Sequence, residues 1–99
     1  MTDAEKHSAR LAEARRRIAL ASALDESAVT RADGDAALIL AGARAHFWLV
    51  AGVDRSASER FIADLLNDFG AETVLRAAIA MCQAQPLGPK AWLRQACRT

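Results

Sequence analysis

The sequence predicts an all-α fold, a single-domain bundle of about five helices joined by short loops. Alanine, which loses no side-chain entropy in a helix, accounts for 24 of the 99 residues. Tyrosine is absent and aromatic residues make up only 5% of the chain, whereas strands favour aromatic and β-branched side chains. A chain of this length suits one hydrophobic core, so we expect residues 1–99 to form one helical domain.

The first helix is predicted from Asp3 to about Leu24. Thr2 and Glu5 have the spacing of a capping box, in which each side chain satisfies a free backbone N–H group. Apolar residues then recur at helical spacing on one stripe, at Leu11, Ala14, Ile18 and Ala21. Because this stripe starts late, we expect residues 1–10 to pack little and to project from the body.

The second helix is predicted to be the central one. Residues 25–35 read as a loop before it, in which Asp33-Gly34 suits a turn and Asp33 or Asp35 suits a helix cap. The helix then extends to about Ala51 and is apolar on nearly every side. Its main stripe comprises Leu38, Ala41, Ala45, Trp48 and Leu49, with Leu40 and Phe47 away from it.

Glycine and proline separate the three remaining helices. Gly52 ends the second helix, and Ser56 with Glu59 predicts a capping box at the start of the third. The third helix is predicted to end at Gly70, and the fourth to begin at the next residue.

Two prolines bound the last helices. Pro86 forbids continuation of the fourth helix, and Pro89 suits the first position of the fifth. Combining the apolar stripes gives a predicted core of Leu38, Trp48, Leu49, Phe61, Leu65, Phe69, Leu75 and Ile79.

Residues able to carry chemistry are few and scattered. His7, His46, Cys82 and Cys97 lack the close pairing of zinc-ligand motifs. We expect His46 to pack on the surface of its helix and both cysteines to act as small core residues. No phosphate-binding loop, paired metal carboxylates or nucleophile motif occurs. The sequence therefore predicts a non-enzymatic protein with no catalytic residue, metal, cofactor or small-molecule substrate.

The expected location is cytoplasmic, with no membrane partner. No apolar run reaches the roughly 20 residues that a membrane-spanning helix needs. The N-terminus is charged and lacks the apolar core of a signal peptide. Two cysteines without such a signal are typical of reduced thiols.

The net charge is +1, but it is unevenly distributed. Residues 1–24 have a balance of +2, residues 25–72 of −5 and residues 73–99 of +4. Two basic clusters are candidate contacts for phosphates or for an acidic partner. The N-terminal cluster comprises Arg10, Arg15, Arg16 and Arg17, and the C-terminal cluster comprises Lys90, Trp92, Arg94 and Arg98.

Each cluster also has a simpler interpretation. The consecutive arginines face three directions of one helix and are typical of a solvated surface. Trp92 either folds inward against Ile79 and Cys82 or serves as a stacking or hot-spot residue. The carboxylates in the middle of the chain have two interpretations. They form a candidate acidic surface, or they cap helices and lie on solvent-exposed faces. Those singled out for the acidic surface are Asp35, Asp54, Asp64 and Asp68.

Residues 46–98 contain a series of short motifs. These are Trp48-Leu49 before Gly52, Phe69-Gly70-x-Glu72-x-Val74, Ala78-Ile79, and Pro89-x-Ala91-Trp92-Leu93 before Cys97-Arg98. Through these motifs, residues 46–98 resemble the C-terminal helical segment of phage and plasmid replication-initiation or primosomal proteins. The resemblance implies a phage or mobile-element protein of the replication-accessory type. The family's winged-helix domain is missing. The resemblance therefore implies a protein that binds a larger nucleic-acid-handling complex, with single-stranded nucleic acid as a further partner.

In size and kind the chain also resembles phage anti-CRISPR proteins, which are often single, small, non-enzymatic domains. This second resemblance implies an alternative function, inhibition of a CRISPR effector by protein–protein contact. Because such effectors hold guide and target in positively charged channels, the acidic surface would be the part that blocks them.

Overall fold

The structure, a computed structural model, describes residues 2–30 and 35–98 and confirms the all-α fold class. Within these ranges the chain forms five α-helices and one short 3₁₀-helix, with no strand. The α-helices are α1 (Asp3–Ser22), α2 (Asp35–Ala51), α3 (Arg55–Phe69), α4 (Ala71–Ala84) and α5 (Pro89–Arg98).

The start of α1 is the predicted one, but its end is earlier. Thr2 Oγ1 accepts a hydrogen bond from the backbone N–H of Glu5 at 3.2 Å, so the predicted N-cap is confirmed. The helix stops at Ser22 rather than near Leu24. The N–H of Leu24 bonds to the carbonyl of Ala21 at 3.2 Å, a tighter 3₁₀-type closure that ends the α-helical pattern.

The segment between α1 and α2 is more ordered than the predicted loop, since Glu26–Thr30 form the 3₁₀-helix. Asp25 Oδ1 accepts a hydrogen bond from the N–H of Ser27 at 3.0 Å just before it. Ala28 and Val29 are buried in the core. The predicted Asp33-Gly34 turn and Asp33 cap lie outside the described residues, and Asp35 is the first residue of α2.

The predicted capping box at the start of α3 is wrong. Asp54 is the N-cap, and its Oδ1 accepts a hydrogen bond from the N–H of Ala57 at 2.8 Å. Ser56 therefore lies inside the first turn, and Glu59 instead contacts Arg55 Nε at 2.9 Å. The carboxylate of Asp54 takes the capping role because it lies immediately before the first helical residue.

The glycine and proline boundaries are confirmed. Gly52 and Gly70 have φ angles of +64° and +87°, which a side chain with a Cβ atom rarely adopts. α4 ends at Ala84, and its C-cap Gln85 adopts the left-handed conformation with φ of 48° immediately before Pro86. Pro89 is the first residue of α5.

Two helices, rather than one, form the centre of the bundle. α2 and α4 each contact every other described helix, including the 3₁₀-helix, so α2 shares with α4 the central place predicted for it alone. The main core cluster lies between α2, α3, α4 and α5. A smaller cluster joins α1 to the other side of α2, through Ala14, Ile18, Ala21, Ala45 and Cys82.

The predicted core is correct in part. Leu65, Leu75 and Ile79 are buried. The other predicted members are half-buried, and these are Leu38, Trp48, Leu49, Phe61 and Phe69. On α2 the residues facing the main cluster are Ile39, Ala43 and Phe47. Because α2 is apolar on nearly every side, its sequence pattern does not indicate which stripe points inward.

Among the described residues, no helix combines the length and the apolar character needed to cross a membrane.

Candidate anion-binding groove

A surface groove of about 820 Å³ lies between α1, α2 and the start of α3. Its apolar lining consists of small or branched side chains and one indole, namely Ala14, Leu20, Ala37, Leu38, Ala41, Ala45, Trp48 and Val53. Its charged lining, among the described residues, consists of Arg10, Arg16, Arg17, Arg44, Arg55 and the single carboxylate of Glu13. Three helices thus contribute five arginines and one carboxylate to the lining of one apolar surface, which leaves an excess of positive charge there.

Trp48 contributes the aromatic surface of the groove. The guanidinium carbon of Arg10 lies 4.6 Å from the centre of its ring, within the range of a cation–π contact. The ring of His7 approaches the same indole edge-on, with centroids 6.1 Å apart. Residues 2–10 are exposed, yet this first part of the chain contacts α2 through the side chains of His7 and Arg10.

Glu13 is held by two arginines at once. Its Oε1 lies 2.8 Å from Arg16 Nη2 and 3.1 Å from Arg17 Nε, and its Oε2 accepts a hydrogen bond from Arg16 Nε at 3.0 Å. The hydrogen bond from Arg16, followed by that from Arg17, lowers the pKa of Glu13 to about 2. The carboxylate is therefore ionised in the free protein.

The remaining groove arginines differ in their partners. Arg55 is paired with Glu59, whereas Arg10 and Arg44 form no ion pair with any residue that the structure describes. Arg44 is half-buried. Part of this side chain is therefore covered by the protein, as is usual where an arginine stem packs on apolar surface.

The structure divides the predicted N-terminal cluster. Arg10, Arg16 and Arg17 line the groove, while Arg15 is exposed on α1 and lies outside it. Sequence reasoning missed Arg44, Arg55 and Trp48 as parts of this site. One signal was available: apart from Asp35, Arg44 is the single Arg, Lys, Asp or Glu in the sequence of α2. A lone charge on an apolar helix marks the side that reaches solvent.

The predicted C-terminal cluster is a separate surface. Lys90 Nζ and Arg94 Cζ lie 5.5 and 5.3 Å from the ring centre of Phe61, so these cations gather over α3. Trp92 is half-buried and packs against the main core cluster, which contains Ile79, in agreement with the inward interpretation. Arg98 is exposed at the end of α5.

The candidate acidic residues have different local roles. Asp54 caps α3, and Asp35 lies half-buried in the first turn of α2. Asp64 and Asp68 are exposed and one helical turn apart on α3, with no ion pair to the described part of the chain.

His46 is buried, so its predicted place on the helix surface is wrong. It is 1% exposed, and its Nε2 lies 2.9 Å from the carbonyl oxygen of Pro86, to which it donates. Its Nδ1 is buried without a partner among the described residues. The adjacent Phe47 is fully buried too, because this side of α2 faces the core rather than solvent.

Both cysteines are buried, as expected from the sequence. Burial raises the pKa of the Cys82 thiol to about 12 and also raises the pKa of Cys97. Both thiols therefore remain protonated and unreactive near neutral pH. Among the described residues, no group of three His, Cys, Asp or Glu side chains could hold a metal ion.

Comparisons with protein-family models, with curated proteins and with solved structures found no match. The described lining of the groove combines arginine side chains with one indole. Arginine presents a planar, permanently charged fork that suits phosphate oxygens, and an indole above an apolar floor suits a flat ring.

Proposed function

We propose that this protein is a non-catalytic accessory protein that binds single-stranded nucleic acid within a larger nucleic-acid-handling complex. The groove between α1 and α2 is the proposed binding site, and the protein is of the replication-accessory type that residues 46–98 resemble. The observation that carries the proposal is the set of five arginines around an apolar floor that includes Trp48.

The apolar floor favours a single strand over a duplex. In a duplex the bases are stacked inside, whereas unpaired bases can turn away from their phosphates and contact an aromatic ring. In the groove, the phosphates would meet the guanidinium groups and the bases would meet Trp48 and the neighbouring aliphatic side chains. In the free protein the Arg10 guanidinium covers the face of Trp48, and a base would take its place as this arginine turns to a phosphate.

The C-terminal cluster supports the same function as a second contact. Lys90, Arg94 and Arg98 are spaced by four residues along α5, so they lie on one face of that helix. Like charges at this spacing repel one another, and a polyanion would relieve that repulsion. This face would hold a further part of the strand or an acidic surface of the complex.

The proposal can be tested by fluorescence anisotropy with a labelled oligothymidylate of about 16 nucleotides, a length within the known range of single-strand sites. We expect Arg10→Gln with Arg44→Gln to weaken binding about tenfold near 50 mM salt. Loss of two phosphate contacts should also reduce the slope of log affinity against log salt by roughly 1.4.

The matched control is Arg15→Gln with Arg60→Gln, which makes the same change in net charge at exposed positions outside the groove. We expect this pair to retain most of the affinity of the unmodified protein. Equal weakening by both pairs would show that only the overall charge matters. Absence of binding at low salt would exclude the proposed function.

The exposed carboxylates of Asp64 and Asp68 favour a second candidate function, inhibition of a CRISPR effector. An acidic face on a rigid helical body could enter a channel that normally holds nucleic acid. Under this alternative the protein inhibits DNA cleavage by a purified effector without binding oligothymidylate. Asp64→Lys with Asp68→Lys should then abolish the inhibition, whereas the groove variants should not.

A further inference from the structure

We propose that Arg16 and Arg17 form a phosphodiester subsite of the groove, which the Glu13 carboxylate occupies in the free protein and vacates when a strand binds. This inference rests on the proposed function and adds an internal competitor to it. Because a ligand must displace Glu13, this carboxylate would lower the affinity of the groove for any anion that uses the subsite.

The geometry of the three side chains carries this inference. Arg16 grips the carboxylate with two nitrogens, at 2.8 and 3.0 Å, and Arg17 adds a third contact at 3.1 Å. A guanidinium fork binds a pair of phosphate oxygens in the same bidentate way as a pair of carboxylate oxygens. Glu13 therefore places two anionic oxygens where a strand would place those of a phosphate.

The position of Glu13 distinguishes it from the other ion pairs between neighbouring helical turns. Glu59 and Glu72 each contact an arginine at a spacing of four residues, Arg55 and Arg76 respectively. Glu13 differs because two arginines hold it at once and because it is the one carboxylate among the described groove-lining residues. In a site otherwise lined by cations, this is the group that a polyanion must replace.

The exchange is physically accessible because all three side chains remain open to solvent. Arg16, Arg17 and Glu13 have exposed side-chain fractions of 65%, 50% and 42%. Exposed ion pairs contribute little net stability. A strand that is already held by Arg10 and Arg44 can therefore displace the carboxylate without disturbing the fold.

The decisive variant is Glu13→Gln, which keeps the shape of the side chain and removes its charge. We expect its affinity for the same oligothymidylate to rise about fivefold. The salt slope should stay close to that of the unmodified protein, because the bound strand contacts the same phosphates in both proteins. Arg16 and Arg17 lower the pKa of Glu13 to about 2. Glu13 therefore stays ionised above about pH 4, and its titration should not change the affinity of the unmodified protein in that range.

Glu72→Gln is the matched control, since it removes one exposed, paired carboxylate outside the groove. We expect it to leave the affinity for oligothymidylate unchanged. If both variants raise the affinity equally, the effect is one of overall charge and the subsite is disproved. If Glu13→Gln has no effect while Arg10→Gln with Arg44→Gln still weakens binding, the subsite fails and the proposed function stands.

A second measurement follows the contact directly. The NMR signal of the Arg16 Nε–H group reports which acceptor it bonds. We expect this signal to shift on addition of oligothymidylate to the unmodified protein, and the corresponding signal of Arg76 to stay in place. An unchanged Arg16 signal in the bound state would overturn the inference, because Glu13 would then still occupy the fork.

Discussion

At the scale of single residues, Gly42 is the position at which α1 and α4 approach the backbone of α2. A Cβ atom placed there would lie 2.5 Å from Ala21 Cβ, 3.0 Å from the carbonyl oxygen of Arg17 and 3.3 Å from Cys82 Sγ. Glycine costs about 1 kcal/mol in a helix relative to alanine. The close packing of α1 on α2, and with it the floor of the groove, therefore depends on a residue that is poor for the helix itself.

We expect Gly42→Ala to destabilise the protein despite alanine's better helix propensity. Overpacking a close contact typically costs about 1–3 kcal/mol, which matches or exceeds the propensity gain. Urea unfolding followed by circular dichroism measures the difference. Gly88→Ala is the control, because nothing lies within 4 Å of its added Cβ. Stabilisation of the protein by Gly42→Ala would contradict the close approach.

His46 connects α2 to the segment between α4 and α5. Its Nε2–H donates to the carbonyl oxygen of Pro86, forty residues away in the chain. We expect His46→Leu to lower the free energy of unfolding by about 1–3 kcal/mol, because it leaves a carbonyl without its donor. His46→Gln, whose amide nitrogen can take the place of Nε2, should lose less. Equal losses in urea unfolding would mean that the ring contributes packing alone.

At the scale of elements, the start of α3 shows which of two candidate residues becomes the N-cap of a helix. The sequence offers both Asp54 and Ser56, and the structure uses Asp54. We expect Asp54→Ala to destabilise the protein by about 0.5–2 kcal/mol, the usual cost of losing a cap, and Ser56→Ala to be nearly neutral. Thermal unfolding of the two variants compares them directly. The reverse order of stability would restore the capping box predicted from Ser56 and Glu59.

The helix boundaries at glycine and proline were predictable because these residues act locally, whereas the end of α1, which has neither, lies earlier than predicted. Gly52, Gly70 and Pro89 fix boundaries through their own backbone geometry, whatever the rest of the chain does. The orientation of α2 was not predictable in this way. Its apolar residues surround the helix, so only packing against the other helices decides that Phe47 and His46 point inward.

The groove was predictable only in part for the same reason. Arg10, Arg16 and Arg17 are close in the sequence and were found as a cluster. Arg44 and Arg55 join them only because α2 packs against both α1 and α3. Which helices pack together is a property of tertiary structure. The spacing of apolar residues along a single helix does not indicate it.

At the scale of the whole molecule, the contacts of α2 and α4 with every other described helix predict one cooperative unit. Leu65 of α3 is 3% exposed in the core cluster that joins most of these helices, whereas Leu87 is 88% exposed. We expect Leu65→Asp to abolish cooperative thermal unfolding, because it buries a charge without a partner. Leu87→Asp makes the same chemical change in solvent, so its melting curve should match that of the unmodified protein. Scanning calorimetry distinguishes the outcomes. A sharp transition retained by Leu65→Asp would mean that α3 is not part of the cooperative core.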